Sequence, residues 1–226
     1  CTMNPALGHE VEPEYHVRPA AVKKKVMVIG AGPAGMECAI TAARRGHEVT
    51  VFDKASRIGG NLLAYANHDL ARPDDLLSVV THYEVMARKL GIELHLSTEV
   101  HAKFMRSVLH RYDVCVVAAG ARADRSRVAH VEGAERMLDA LDVAHGRVTP
   151  GRRVVVVGGG KVGLTIAESL RKNHGAEVTV VEEDKRIAGD VKPSFKWRHQ
   201  AWVEELGIPC LTGRRLVRVD AEGATV

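Results

Sequence analysis

Val28-Ile29-Gly30-Ala31-Gly32-Pro33-Ala34-Gly35 sets three glycines in a GxGxxG turn between an apolar strand and an Ala-rich helix. About 130 residues later, Val156-Val157-Gly158-Gly159-Gly160-Lys161-Val162-Gly163 repeats the pattern. The residues leading into each turn, Lys25–Ile29 and Arg153–Val157, read as buried parallel strands because their apolar runs are nearly unbroken. Helices are expected over 36–45, stopped by Gly46 at its C′ position, and over 162–172. Strands over 48–52 and 177–181 follow, and each delivers an acid, Asp53 and Glu182.

Each glycine of such a turn answers a separate steric demand. The first lets the chain turn sharply out of the strand, the second lets backbone approach a pyrophosphate, and the third lets the helix pack on the sheet. The diphosphate then rests on amides at the positive end of the helix dipole, and the acid accepts hydrogen bonds from an adenosine ribose. Asp53 lies 18 residues after Gly35 and Glu182 lies 19 after Gly163. The spacing expected for a ribose acid is about 20. Strand, turn, helix and acid therefore agree twice, which predicts two adenine-dinucleotide sites. At the second, a carboxylate would repel a 2′-phosphate, so NAD is expected over NADP. Lys161 either neutralises phosphate there or is simply solvated, and Arg57 is open to the same two readings.

The rest of the chain fits this plan. Residues 1–22 carry Pro5, Pro13 and Pro19 and read as an extended lead-in. Pro73-Asp74-Asp75 opens a helix whose apolar positions Leu76, Val80, Tyr83, Ala87 and Leu90 recur at helical spacing. Strands are expected over 92–96, 113–118 and 215–219, with helices around 137–142 and ending near Leu206. The predicted organisation is α/β: two tandem Rossmann-like units, 23–128 and 129–226, with doubly wound parallel sheets. Cys1 at the start and strand-like Ala224-Thr225-Val226 at the end suggest that both ends are cut.

Composition narrows the classes. Hydrophobic residues make up 46%, enough for a buried core, while aromatics reach only 4% and the net charge only +4. With no Lys/Arg block, nucleic acid is not an expected partner. No apolar run approaches the roughly 18 residues of a membrane span. The four cysteines form no disulfide scaffold, so a cytoplasmic setting is the default; Cys38 and Cys115 read as core thiols. The twelve histidines show no metal-ligand spacing. No catalytic side chain is singled out, because hydride transfer is chemistry that the cofactor supplies.

The first turn, with Val49-Thr50-Val51-Phe52-Asp53-Lys54 and Ile58-Gly59-Gly60-Asn61-Leu62, resembles the pyridine-nucleotide/flavin oxidoreductases. Cys1-Thr2-Met3-Asn4-Pro5-Ala6-Leu7-Gly8 is similar to the last cluster cysteine of one branch. That branch is the iron–sulfur flavoenzymes related to 2,4-dienoyl-CoA reductase, 2-enoate reductase and trimethylamine dehydrogenase. The resemblance implies FAD, or ADP in its place, on the first unit and NAD on the second. Asp53 and Lys54 would lie at the adenosine, Gly60, Asn61 and Leu62 along the flavin, and Val100 near the adenine. Ala119-Gly120 matches the family's Ala-Thr-Gly strand end, with Ala where Thr is usual. The family's later Gly-Asp strand lies outside these residues, so the ADP half of the first site is expected to be the better held. Cys1 would be one of four ligands to a [4Fe–4S] cluster, and an FMN barrel would be the missing partner domain. NADH would be the electron donor, and a homo-oligomer is possible.

Overall fold

The computed structural model describes residues 6–68, 72–122 and 124–226. The chain forms two compact units. One takes the residues up to Leu62 together with Leu77–Gly120; the other takes Leu63–Leu76 and Ala121–Val226.

In the first unit, β1 (Lys25–Ile29), β2 (Glu48–Phe52), β3 (Glu93–His95) and β4 (Val114–Val117) form one parallel sheet in the order β3-β2-β1-β4. Lys25 pairs with Glu48 and Ile29 with Phe52, so β1 and β2 end level and present Gly30 and Asp53 side by side. That order is one half of a doubly wound nucleotide-binding sheet, and ligands sit beyond the carboxyl ends of its strands. Helix α1 (Pro33–Arg44) connects β1 to β2. It starts three residues earlier than the periodicity indicates, because Pro33 at its first turn has the φ a helix needs and lacks only an amide with no helical acceptor. Met36, Ala39 and Ile40 on α1 pack with Met27, Val28 and Val51 of the sheet. Helix α2 (Asn61–His68) follows the second strand, then α3 (Pro73–Lys89), whose Val80, Tyr83 and Ala87 are buried. Leu76 and Leu90, read as part of the same stripe, are only half-buried. Helix α4 (Ala102–Val108) precedes β4. The strands expected over 92–96 and 113–118 are each trimmed by two residues in the sheet.

In the second unit, α5 (Ala140–Ala144) precedes β5 (Arg153–Val157), and β6 (Glu177–Glu182) and β7 (Cys210–Thr212) complete a parallel sheet ordered β5-β6-β7. Helix α6 (Lys161–His174) links β5 to β6, and α7 (Pro193–Glu205) links β6 to β7. The strand expected over 215–219 is reduced to β8 (Arg218–Val219), paired antiparallel with β9 (Ala224–Thr225). Leu216 instead turns into the interior, at 3% exposure.

α6 also carries polar residues into this core. Glu168 and Ser169 are fully buried. The Glu168 carboxylate lies 2.8 Å from Nδ1 of buried His199 on α7, and Ser169 Oγ lies 2.8 Å from Nδ1 of His68 on α2. Buried polar groups persist only when partnered in this way. Burial pushes the His68 imidazole below its ordinary value of 6.5, outweighing hydrogen bonds from the backbone at Ala144 and Val143. His68 is thus neutral in the folded chain at pH values where an unfolded chain would protonate it. The stability this contributes is complete above the unfolded value of 6.5 and declines as pH falls below it. The midpoint of unfolding in urea should therefore drop between pH 7 and pH 5 (roughly the titration range of an ordinary histidine). His68→Gln should flatten that slope; an unchanged slope contradicts the assignment.

Candidate functional site

Both glycine turns adopt one geometry. Gly30 and Gly158 have φ of 108° and 103°, a region that disfavours any residue with a side chain. The Gly30 amide donates to Phe52 O at 2.7 Å and the Gly158 amide to Val181 O at 2.8 Å, locking each turn to the neighbouring strand. A Cβ on Gly35 would lie 1.8 Å from Gly30 O, and one on Gly163 would lie 2.0 Å from Gly158 O. A Cβ on Gly30 would meet Ala118 O at 2.2 Å, with Ala119 Cα at 3.2 Å. The end of β4 thus packs directly on the first turn, which brings Ala119 to the crevice; Gly120 follows, exposed, with φ of 79°.

Gly32 behaves differently. A Cβ there would meet only Gly60 Cα, at 3.9 Å, so nothing of the chain requires this glycine and the space above it is open. Pro33, Ala34 and Gly35 form the first turn of α1, where amides have no acceptor within the helix. This is the steric and electrostatic form of a diphosphate cradle, and the residues present fit one.

The strand-end acids occupy matching positions. Asp53 Oδ2 accepts from the Ala31 amide at 2.6 Å and Oδ1 from the Ala55 amide at 2.7 Å. Glu182 Oε2 accepts from the Gly159 amide at 2.6 Å and Oε1 from the Asp184 amide at 2.8 Å. Each carboxylate therefore braces its turn as well as facing the crevice. A carboxylate has about four acceptor positions, so two remain for ribose hydroxyls. Lys54 is exposed beside Asp53. Val100 is half-buried in the loop after β3, and that loop is tied to the acid's backbone by Thr98 N to Asp53 O at 2.8 Å.

The loop after each acid folds back over its turn. Gly59 N donates to Ala31 O at 2.8 Å, and Ala188 N to Gly159 O at 2.7 Å. Gly60 then faces Gly32, and Asn61 and Leu62 begin α2. In the second unit Asp190 reaches the turn, Oδ1 accepting from the Lys161 amide at 2.9 Å. The Lys161 ammonium stands 5.4 Å from the centre of the Tyr65 ring. A cavity of about 710 Å³ borders this turn, with Val157, Gly158, Gly160, Glu182 and Asp190 among its walls. Pockets for cofactors run from roughly 300 to 1,000 Å³.

Asp190, Tyr65 and the Gly59/Ala188 pair escape a reading based on glycine spacing alone. Their signal is a second internal repeat: Arg57-Ile58-Gly59-Gly60-Asn61 matches Arg186-Ile187-Ala188-Gly189-Asp190, at equal distances past the two acids. Cys1, the proposed cluster ligand, lies outside the described residues. Among the described residues no group of three or more His, Cys, Asp or Glu could hold a metal ion, and no helix is long and apolar enough to cross a membrane. Cys38 and Cys115 are half-buried rather than core residues, because neither the α1 nor the β4 position is fully covered. Burial raises both thiols, and Cys210 as well, so their reactive thiolate forms are disfavoured.

The family profile of the pyridine nucleotide-disulphide oxidoreductases matches residues 24–226. The chain belongs to this family. Membership implies binding of FAD and a pyridine nucleotide, and the relatives are oxidoreductases. The chain is 37% identical to the cinnamate reductase of Clostridium sporogenes over 83% of its own length and 27% of that enzyme. It is 34% identical to the NADH oxidase of Thermoanaerobacter brockii over 99% of its length and 34% of the relative. It superposes on a 2-naphthoyl-CoA reductase with a TM-score of 0.89 at 34% identity, covering 99% of this chain and 33% of that one. The chain thus spans about a quarter to a third of these relatives. They bear out the resemblance to the FAD/NAD-binding region of the 2,4-dienoyl-CoA reductase type, and the α/β Rossmann-like fold with it.

The glycines divide into two kinds that mutation should separate. Gly35→Ala forces Cβ onto the Gly30 carbonyl and should cost roughly 1–3 kcal/mol of stability. Gly32→Ala enters open space and should stay within about 0.5 kcal/mol of the parent. Thermal or urea unfolding measures both; equal losses would contradict the division.

Proposed function

We propose that this chain is the electron-input region of an NADH-dependent flavin and iron–sulfur oxidoreductase of the enoate or dienoyl-CoA reductase type. FAD occupies the first unit and NADH the second. The observation that carries this reading is the duplication of the whole cradle: turn, bracing acid and fold-back loop, once in each unit.

On the first unit the amides of Gly32, Ala34 and Gly35 receive the diphosphate, while Pro33 fixes the helix start without adding a donor. Asp53 takes the ribose and Lys54 the outer edge of the adenosine; Val100 borders the adenine. Gly60, Asn61 and Leu62 line the side toward the flavin ring, with Ala119 and Gly120 opposite. On the second unit, Gly158 and Gly163 shape the turn, Gly160 admits the diphosphate, Glu182 takes the ribose and Lys161 supplies positive charge. Bound there, the coenzymes supply the redox chemistry: a hydride leaves reduced nicotinamide and is taken up by flavin with a proton from solvent. The protein's part is to hold and orient. In the intact enzyme the electrons would pass on through a [4Fe–4S] cluster, with Cys1 among its ligands, to an FMN barrel domain, in a cytoplasmic setting.

A redox-silent adenine-nucleotide module is the second reading, favoured by one feature: Asp190 stands over Gly160 in the second cradle. One experiment separates the two. Purified protein supplied with FAD should be yellow and should bleach when NADH is added without oxygen. Glu182→Ala should raise the NADH concentration needed for bleaching by roughly tenfold, the value of one or two lost hydrogen bonds. Colourless protein that releases ADP on denaturation, with no response to NADH, would establish the silent module instead.

A further inference from the structure

The two cradles differ in what covers the middle glycine. Over Gly32 the nearest chain atom to a notional Cβ is Gly60 Cα, at 3.9 Å. Over Gly160 both carboxylate oxygens of Asp190 lie 2.9 Å from that point, with Cγ at 3.1 Å. Asp190 Oδ1 also accepts from the Lys161 amide, the first residue of α6. At the equivalent place in the first unit, the same distance past the acid, stands the neutral amide Asn61. The repeat has therefore kept the backbone path and changed one side chain from neutral to anionic.

A carboxylate in this position reproduces a phosphate in three respects. It is an anion at the positive end of a helix, it accepts a first-turn amide, and it fills the space a Cβ-free residue leaves open. We propose that Asp190 is an intramolecular surrogate for the diphosphate of the incoming pyridine dinucleotide. It caps α6 while the second site is empty and swings aside when the coenzyme seats. The inference rests on the reading of the second unit as the NADH site and adds the step that controls entry to it.

The surroundings suit a group that moves. Asp190 is exposed, so leaving the turn exchanges one hydrogen bond for water rather than stranding a buried charge. Tyr65 and Lys161 stand beside it. Burial raises the Tyr65 phenol, and the Asp190 charge adds to that rise. The cap leaves only a fraction of molecules open to ligand, and apparent affinity falls by that fraction. The second site should thus bind pyridine dinucleotide more weakly than its cradle alone would allow.

Calorimetry on the whole chain tests this with two probes, NADH and inorganic pyrophosphate, against the parent protein, Asp190→Asn and Asp190→Ala. The asparagine variant keeps an acceptor for the Lys161 amide and removes only the charge, so it should fold as the parent does. Binding at the first unit is common to all three proteins and drops out of the comparison. Both variants should bind both probes roughly three- to tenfold more tightly, the range expected from removing one competing anion at a helix N-terminus. Unchanged or weaker pyrophosphate binding in the asparagine variant would overturn the proposal. Tighter pyrophosphate with no NADH binding in any protein would uphold the cap and overturn the NADH reading. Absence of binding by either probe in all three would overturn both.

Discussion

The near-contact of Gly35 with the Gly30 carbonyl, repeated by Gly163 and Gly158, is the constraint from which the rest of the site follows. With no side chain between them, helix and strand approach closely enough that the helix starts directly over the strand end. Only then do the first-turn amides open onto the same crevice as the acid of the next strand. A methyl group at that point would separate the two elements and spread the cradle apart. The carboxylates add to this by bonding the turns as well as facing the ligand, through Asp53 to Ala31 and Glu182 to Gly159. Charge-assisted bonds of this kind contribute about 1.5–3 kcal/mol each. The turn is thus held in shape before any ligand arrives.

The duplication is close in backbone and unequal in detail. Strand registers, turn dihedrals and fold-back loops correspond between the units, while the side chains over the middle glycines do not. Gly59 becomes Ala188, which keeps a left-handed φ of 58° despite its side chain and is completely buried. A non-glycine residue in that conformation costs roughly 1–2 kcal/mol. The bond it donates to Gly159 and the packing around it offset the strain. Asn61 becomes Asp190, and with that change an open cradle becomes one that its own chain fills. Two sites built to one plan can therefore hold their ligands in different ways.

Much of this was legible in the sequence because the informative residues are those with no alternative. Glycines at fixed spacing, apolar runs before them and an acid at the next strand end each have a single steric or electrostatic rationale, and all fall where expected. The double role of the acids was not legible, since spacing predicts a ribose contact and says nothing of amides two residues away. Helix α2 was missed because it follows two glycines and buries only Ala64, Ala66 and His68, too few to show a period. Its assignment beyond Leu62 to the second unit depends on tertiary packing, with Ala64 in the same core as Leu164 and Val180. The Asp190 contact depends on a loop conformation, and no local propensity records that.

The account is tested most directly by a crystal structure of this chain grown with ADP. It predicts the diphosphate over Gly32, its oxygens accepting from the amides at the start of α1 and its ribose on Asp53. Well-ordered crystals at saturating ADP with that crevice vacant, or with the nucleotide bound away from both glycine turns, would contradict it.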